Sequence, residues 1–288
     1  MAKNYLSKLV GAFGDPIEEN PSVVMMEAAF RAMGLDWRYI NFKIGEEDLA
    51  EAFTGLKAMG FSGINLTIPH KVNAVQYMDQ LTPNAQLIGA INTVIAHEGA
   101  LTGDNTDGRG FVRSLSEQGI NLKDKRLVIL GAGGAARAIC VESAMAGCAT
   151  IDIINRNEAR GQALCELIAE RTPADAGFTR WTGTAHIPEC DILVNATDIG
   201  LYPDPNRPDI VYEDIHPGMI VQDIIPNPAN TWFLQTAARM GAKTFDGLGM
   251  LVWQGAIAIK LWTGLDAPVD IMKMRLEQEF ALSGFSVQ

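Results

Sequence analysis

Apolar residues recur along this chain in two rhythms, short runs and helical spacing, which take turns. From Leu9 to Phe13 a short apolar run stops at Gly14, Asp15 and Pro16, which predicts a strand closed by a turn. Val23 to Met33 carries apolar residues at helical spacing and ends at Gly34, a helix stop. Trp37 to Phe42 reads as a second strand, Glu46 to Met59 as an amphipathic helix closed by Gly60, and Gly63 to Ile68 as a third strand ended by Pro69. Such alternation predicts a parallel sheet with helices on its faces.

A second, sharper unit starts at Arg126. Leu127, Val128, Ile129 and Leu130 form a continuous apolar strand that runs into Gly131, Ala132, Gly133 and Gly134. A helix over Ala135 to Ala146 stops at Gly147, and Thr150 to Asn155 makes the next strand. This is a strand, glycine turn, helix, strand unit of about 30 residues. Strands at Ile192 to Asn195 and Met219 to Asp223 extend the same sheet, and the Pro-bearing stretch Tyr202 to Pro208 between them reads as a surface loop. Two final helices, Leu251 to Trp262 and Val269 to Phe280, are expected to return to the N-terminal sheet.

Composition narrows the functional classes. With 288 residues the chain is long enough for two domains, each with its own core. Its 34 acidic against 23 basic residues give a net charge of -11, which repels nucleic acid and anionic membranes. No apolar stretch approaches the ~18 residues of a membrane span, and the start lacks a signal-peptide hydrophobic region, so a cytoplasmic protein is expected. Cys140, Cys148, Cys165 and Cys190 lack metal-ligand spacing, and the four histidines are scattered. No metal site is expected, and monomer and homodimer both stay open.

The run Gly131, Ala132, Gly133, Gly134, Ala135, Ala136 fits G-x-G-x-x-[G/A] after a strand and at the opening of a helix. Glycines there let the backbone approach a pyrophosphate, and the helix N-terminus offers N–H donors and the positive end of its dipole. An acidic residue at the tip of the next strand would select NAD by bonding a ribose hydroxyl. None stands there. Asn155, Arg156, Asn157 and Arg160 cluster at that tip instead, where guanidinium groups can grip a phosphate, which favours NADP. Glu158 lies between the two arginines and could neutralise them as a surface ion pair, so NAD stays open as the other cofactor.

The N-terminal half offers polar clusters at strand ends. Asn65 and Thr67 interrupt an apolar strand that ends at Pro69, His70 and Lys71, and Asn92 with Thr93 follows Gly89, Ala90 and Ile91. Gly103, Asp104, Asn105, Thr106, Asp107 and Gly108 form a third cluster just before the presumed dinucleotide domain, whose carboxylates are expected to face the interdomain cleft. Together they suggest a lysine and a carboxylate near a nicotinamide. Removal of a hydride from an alcohol carbon requires a base for the hydroxyl proton, and a buried lysine with a neighbouring Asp can serve. His70 is the competing base, expected to be a partly exposed side chain.

These motifs in this order resemble the shikimate/quinate dehydrogenase family over nearly the whole chain. The matching segments are Phe13 to Ile17 (FGDPI), Asn65 to Lys71 (NLTIPHK), Gly89 to Thr93 (GAINT), Gly103 to Gly108 (GDNTDG), Gly131 to Ala136 (GAGGAA), Asn155 to Arg160 (NRNEAR), Asn195 to Thr197 (NAT) and Asp246 to Gln254 (DGLGMLVWQ). The resemblance implies that Lys71 and Asp107 form a catalytic pair. It implies that Ser22, Asn20, Asn65, Thr67, Asn92 and Gln254 bind a cyclic polyol substrate. Gly131 to Ala135, with Asn155, Arg156, Arg160, Thr197, Gly249 and Met250, would hold the cofactor. The fold it implies is α/β in two hinged domains. One is a substrate-binding domain over 1–106 with a mostly parallel sheet, completed by 250–288, and the other a Rossmann-type NAD(P)-binding domain over 107–249.

Two departures bear on the substrate. Members acting on shikimate carry Ser-x-Ser-Pro after the first strand, where the hydroxyls help bind the substrate carboxylate. Here the segment is Asn20, Pro21, Ser22, Val23. The family Tyr after the strand ending in Asp223 is replaced by Pro226, and Glu18 and Glu19 add negative charge near the expected acid site. The expectation is an NAD(P)-dependent oxidoreductase acting at the C3 hydroxyl or ketone of shikimate or a related polyol, such as quinate or an amino-substituted analogue. Asn20 as a simple replacement donor for Ser is the competing reading. A sensing protein that binds NAD(P) without turnover is the alternative from another class.

Overall fold

The computed structural model describes residues 5–282, which divide into two compact units. Among the described residues, one takes in 5–106 and Val252–Glu279; the other is Asp107–Leu251 with 280–282.

The first unit starts with β1 (Lys8–Gly14), α1 (Ser22–Ala32), β2 (Trp37–Lys43), α2 (Leu49–Ala58) and β3 (Gly63–Leu66). It continues with α3 (His70–Asn73), β4 (Gln80–Leu81), α4 (Pro83–Ile88), β5 (Thr93–His97) and β6 (Ala100–Asp104). Its sheet runs β2-β1-β3-β5-β6-β4, parallel except where β5 pairs with β3 and β6. The β5–β6 hairpin departs from the simple alternation expected of this half. Its two-residue turn puts Glu98 and Gly99 at φ 51° and 81°, the left-handed pair of a hairpin turn that follows the twist of its strands. Phe13, Phe53, Leu56, Phe61, Ile64, Leu66, Ile91 and Val94 fill the core on one side of the sheet.

Two boundaries differ from the sequence reading. The helix expected from Glu46 begins at Leu49, because Glu46, Glu47 and Asp48 are exposed and bring no apolar surface to bury. The third strand ends at Leu66 rather than Ile68. Thr67 N–H still bonds the Phe13 carbonyl, but Pro69 has no N–H to offer and Ile68 turns to solvent.

The second unit opens with α5 (Asp107–Glu117), then β7 (Arg126–Leu130), α6 (Gly134–Met145), β8 (Thr150–Asn155), α7 (Glu158–Arg171) and β9 (Asp175–Arg180). β10 (Ile192–Asn195), β11 (Ile220–Asp223), α8 (Trp232–Arg239) and β12 (Lys243–Phe245) complete it. All six strands are parallel, in the order β12-β11-β10-β7-β8-β9. A sheet covered on both faces needs unbroken apolar strands, and β7 and β10 are such runs. The order reverses direction at β7, so the ends of β7, β8 and β10 surround the switch point where ligands of such sheets bind. The stretch Tyr202 to Pro208 is largely exposed.

The chain re-enters the first unit inside α9 (Leu248–Thr263), followed by α10 (Val269–Leu282). Asp246 caps the start of α9 by accepting from Leu248 N–H at 3.0 Å. In the first unit, Trp262 donates its indole N–H to the Val94 carbonyl at 3.0 Å and lies against Gly63, where a side chain would collide with the ring. Among the described residues no helix is long and apolar enough to cross a membrane.

Candidate active site

A buried polar network runs through the first unit. The Tyr39 hydroxyl donates to Asn65 Oδ1 at 3.0 Å, and both residues are buried, as is Ser22. Burial pushes the Tyr39 hydroxyl well above its ordinary range, so it stays a neutral donor. Asn65 Nδ2 donates to the Asn92 carbonyl (3.2 Å) and the Thr93 hydroxyl (3.0 Å). Asn92 Oδ1 accepts from Thr106 N–H (2.8 Å) and from the hydroxyls of Thr93 (3.0 Å) and Thr106 (3.1 Å), while its Nδ2 reaches Gln254 Oε1 at 3.4 Å. Strand register brings these side chains together, since Asn65 sits opposite Thr93 and Thr93 opposite Asp104. Satisfied networks of this kind hold a unique geometry.

Lys71 is fastened beside it. Its carbonyl accepts from Ile91 N–H at 2.7 Å, next to Asn92. The preceding His70 is wholly buried, and its Nε2–H donates to the Ile44 carbonyl at 2.8 Å. This corrects the expectation of a partly exposed histidine: the imidazole ties the lysine turn to the end of β2 and is shut off from solvent. Lys71 itself is half-buried, and Thr67 packs its methyl against Gly14. Asp104 is buried, and its carboxylate accepts from the Thr82 hydroxyl (2.7 Å) and Asn105 N–H (2.8 Å). Asp107 is buried as the first residue of α5, where the helix dipole favours an acidic side chain. At the start of α1, Asn20 Oδ1 accepts from Ser22 N–H (3.2 Å), and its Nδ2 donates to Asn41 Oδ1 (3.2 Å).

In the second unit Leu130, Asn195 and Asp223 end three neighbouring strands in register. Gly131 follows with φ 111°, and a Cβ there would lie 2.9 Å from the Ala196 carbonyl oxygen. Gly133 is exposed, and a Cβ on it would meet no protein atom within 4 Å. α6 begins without a side-chain cap, which leaves its first N–H groups for a ligand. These residues therefore fit the pyrophosphate of a dinucleotide.

At the tip of β8 the structure decides the role of Glu158. Its carboxylate pairs with Arg180 at 3.0 Å, whereas Arg156 and Arg160 are exposed and make no ion pair among the described residues. Asn157 caps α7 by accepting from Arg160 N–H at 3.0 Å, and Asn155 Nδ2 donates to the Asn157 carbonyl at 2.7 Å. The turn that presents the arginines is thus fixed by its own amides.

Sequence reasoning did not single out Tyr39 and Asp223, two buried polar residues of these networks. Asp223 is buried and accepts from Asn195 Nδ2 (3.1 Å), the Thr231 hydroxyl (2.8 Å) and Ile225 N–H (3.2 Å). Burial pushes its carboxyl up to about 6, with Asp246 adding to the rise and the hydrogen bonds opposing it. Asn195 passes the order on, since its Oδ1 accepts from the Thr197 N–H (3.1 Å) and hydroxyl (2.6 Å). A Tyr inside an ordinary strand pattern carries no local sign. The acid at a strand end beside Asn195 to Thr197 was a usable one. Gly249 lies against Ser114, and Met250 is buried.

Comparison with known proteins adds an independent finding. Residues 12–94 match a family model described as the shikimate dehydrogenase substrate binding domain, 114–201 one described as shikimate/quinate 5-dehydrogenase, and 247–277 one described as the shikimate 5'-dehydrogenase C-terminal domain. A shikimate dehydrogenase (NADP(+)) of Desulforamulus reducens is 39% identical over 283 residues, covering 96% of this chain and 97% of that protein. Among solved structures, a 5-ketofructose reductase of a Gluconobacter species is 43% identical with a TM-score of 0.90, covering 96% of this chain and all of that one. A shikimate 5-dehydrogenase of Listeria monocytogenes, in complex with shikimate and NAD, is 34% identical with a TM-score of 0.87 and coverages of 96% and 99%.

Proposed function

Because this chain belongs to the shikimate/quinate dehydrogenase family, we propose that it is an NADP(H)-dependent oxidoreductase that interconverts a secondary alcohol and a ketone on a polyhydroxylated carbon skeleton. The observation that carries the reading is Lys71, held by Ile91 N–H and by the buried His70 next to a saturated polar network. Bound cofactor supplies or accepts the hydride. Lys71 Nζ takes the proton of the reacting hydroxyl in oxidation and returns it to the carbonyl oxygen in reduction. Asp107 is the second member of the acid/base pair, the role that the family resemblance implies for it. Thr67, Asn92 and Gln254 bind hydroxyls that flank the reacting carbon, with Asn65 holding their frame.

Gly131 to Ala135 with the first turn of α6 hold the pyrophosphate, and Thr197, Gly249 and Met250 line the rest of the cofactor site. Arg156 and Arg160 hold the 2′-phosphate, because the one acid between them is engaged by Arg180. This favours NADP over NAD.

The test is a set of initial rates with NADP⁺ or NAD⁺ on shikimate and quinate, and with NADPH on 3-dehydroshikimate and 5-ketofructose, the last prompted by the Gluconobacter relative. Lys71→Ala should lower kcat by about a thousandfold or more while leaving NADPH affinity unchanged. Cofactor binding without turnover on any of these would overturn the reading and favour a sensing role.

A further inference from the structure

We propose that the second unit carries an anion site apart from the cofactor residues, in which Arg207 and Arg239 take a phosphate group, free or as a monoester. Thr236 stands at its centre. The Thr236 hydroxyl donates to the Trp232 carbonyl at 2.7 Å and accepts from two guanidinium groups at once, from Arg207 Nη1 at 2.6 Å and from Arg239 Nη2 at 3.1 Å. One oxygen thus gathers two positive charges, which repel each other unless an anion shares them.

No side chain supplies that anion. Among the described residues neither Arg207 nor Arg239 makes an ion pair, although the chain has 34 acidic against 23 basic residues. The acids of the neighbouring segment are engaged elsewhere. Asp204 accepts from Asn206 N–H at 3.0 Å, Asp209 from the Thr184 hydroxyl at 2.9 Å, and Asp214 from Ile187 N–H at 2.9 Å while it pairs with His186. Arg207 is held flat over the Tyr212 ring, its guanidinium carbon 4.4 Å from the ring centre, and the Tyr212 hydroxyl donates to the Pro208 carbonyl at 2.9 Å. Each guanidinium has five N–H donors and gives one of them to Thr236, so most of both forks stays open. Two open forks and two positive charges match the oxygens and the charge of a phosphate.

The site joins two elements that lead to the strand ends of the second sheet. Arg207 closes the largely exposed stretch that follows Gly200, and Arg239 lies in the last turn of α8. The start of α8 is fastened by the Thr231 hydroxyl to Asp223, which holds Asn195 and through it Thr197. A phosphate shared by the two arginines pins the far end of the stretch 201–207 to α8 and stiffens the chain that leaves Thr197.

The experiment titrates inorganic phosphate and glycerol 3-phosphate into NADPH-saturated protein by calorimetry, with chloride holding the ionic strength constant, in wild type, Arg207→Gln and Arg239→Gln. Saturation with NADPH fills the glycine turn and the grip of Arg156 and Arg160, which otherwise draw phosphate themselves. Wild type should bind a single phosphate, and each substitution should weaken that binding about tenfold while leaving NADPH affinity unchanged. Amide exchange over 201–207 should slow when phosphate is added to wild type, but not in Arg239→Gln. This second variant leaves the Tyr212 stack in place, so it decides the matter even if Arg207→Gln folds poorly. Tighter binding of the monoester assigns the site to a phosphorylated metabolite, and equal or tighter binding of inorganic phosphate assigns it to the free ion. No binding by wild type, or equal binding by wild type and Arg239→Gln, would overturn the inference.

Discussion

The two sheets build their sites from different materials. In the second unit the critical surface is backbone: a left-handed Gly131, an open Gly133 and uncapped N–H groups at the start of α6. In the first it is side chains, with Tyr39, Asn65, Asn92 and Gln254 gathered from distant stretches, Asn92 and Gln254 lying 162 positions apart in sequence. A backbone site is a local property of a few residues in a row. A side-chain site is a property of strand register, and it exists only once the sheet has formed.

Gly131→Ala should do most to break this contrast. It forces a side chain into φ 111° and against the Ala196 carbonyl, and should lower stability by about 3 kcal/mol in thermal unfolding. Gly133→Ala meets no protein atom, so its melting temperature should stay put while NADPH affinity falls about tenfold. Equal loss of stability in both variants would show that the turn is shaped by packing alone.

Next comes Asp223. An acid whose pKa is raised on folding binds its proton more tightly folded than unfolded, so its contribution to stability is complete below a pH of about 4 and is lost as pH rises through about 6. The loss should amount to roughly 2 to 3 kcal/mol. Asp223→Asn should remove this part of the pH dependence, seen as a flatter profile of urea midpoint against pH for the variant than for wild type from pH 4 to 7.

In the first unit, Tyr39→Phe deletes the buried donor to Asn65, and should cost about 1.5 kcal/mol in urea unfolding without altering NADPH affinity. The smallest effect is expected at the surface. Arg156→Ala or Arg160→Ala should raise KM for NADP⁺ about tenfold, equivalent to about 1.4 kcal/mol, and leave KM for NAD⁺ alone. Equal loss with both cofactors would place the arginines elsewhere than at the 2′-phosphate.

The same contrast explains what could be read from the sequence. β7, the glycine turn and α6 are contiguous, so their pattern was legible to within one residue. The β5–β6 hairpin was not, because its strands are only five residues each and its turn, Glu98 and Gly99, lacks the Asn-Gly or Asp-Gly pair that marks such turns most strongly. The direction of the Glu158 ion pair was equally hidden. Arg180 is 22 positions away and reaches Glu158 only because β9 lies beside β8. His70 reads as a surface residue beside Pro69 and Lys71, and only the fold reveals that Ile44 covers it.

The nested order of the two units bears on how a ribosome delivers this protein. Asp107–Leu251 is a continuous stretch whose strands can all pair as soon as it has emerged. The first unit has its six strands by Asp104, yet the Trp262 indole that covers Gly63 and the Gln254 amide that reaches Asn92 arrive only with α9. The half that emerges first is therefore finished last, and its amide network waits through the synthesis of nearly 150 further residues. During that interval the nascent chain carries an unlidded sheet, the state in which a chaperone would find most to hold.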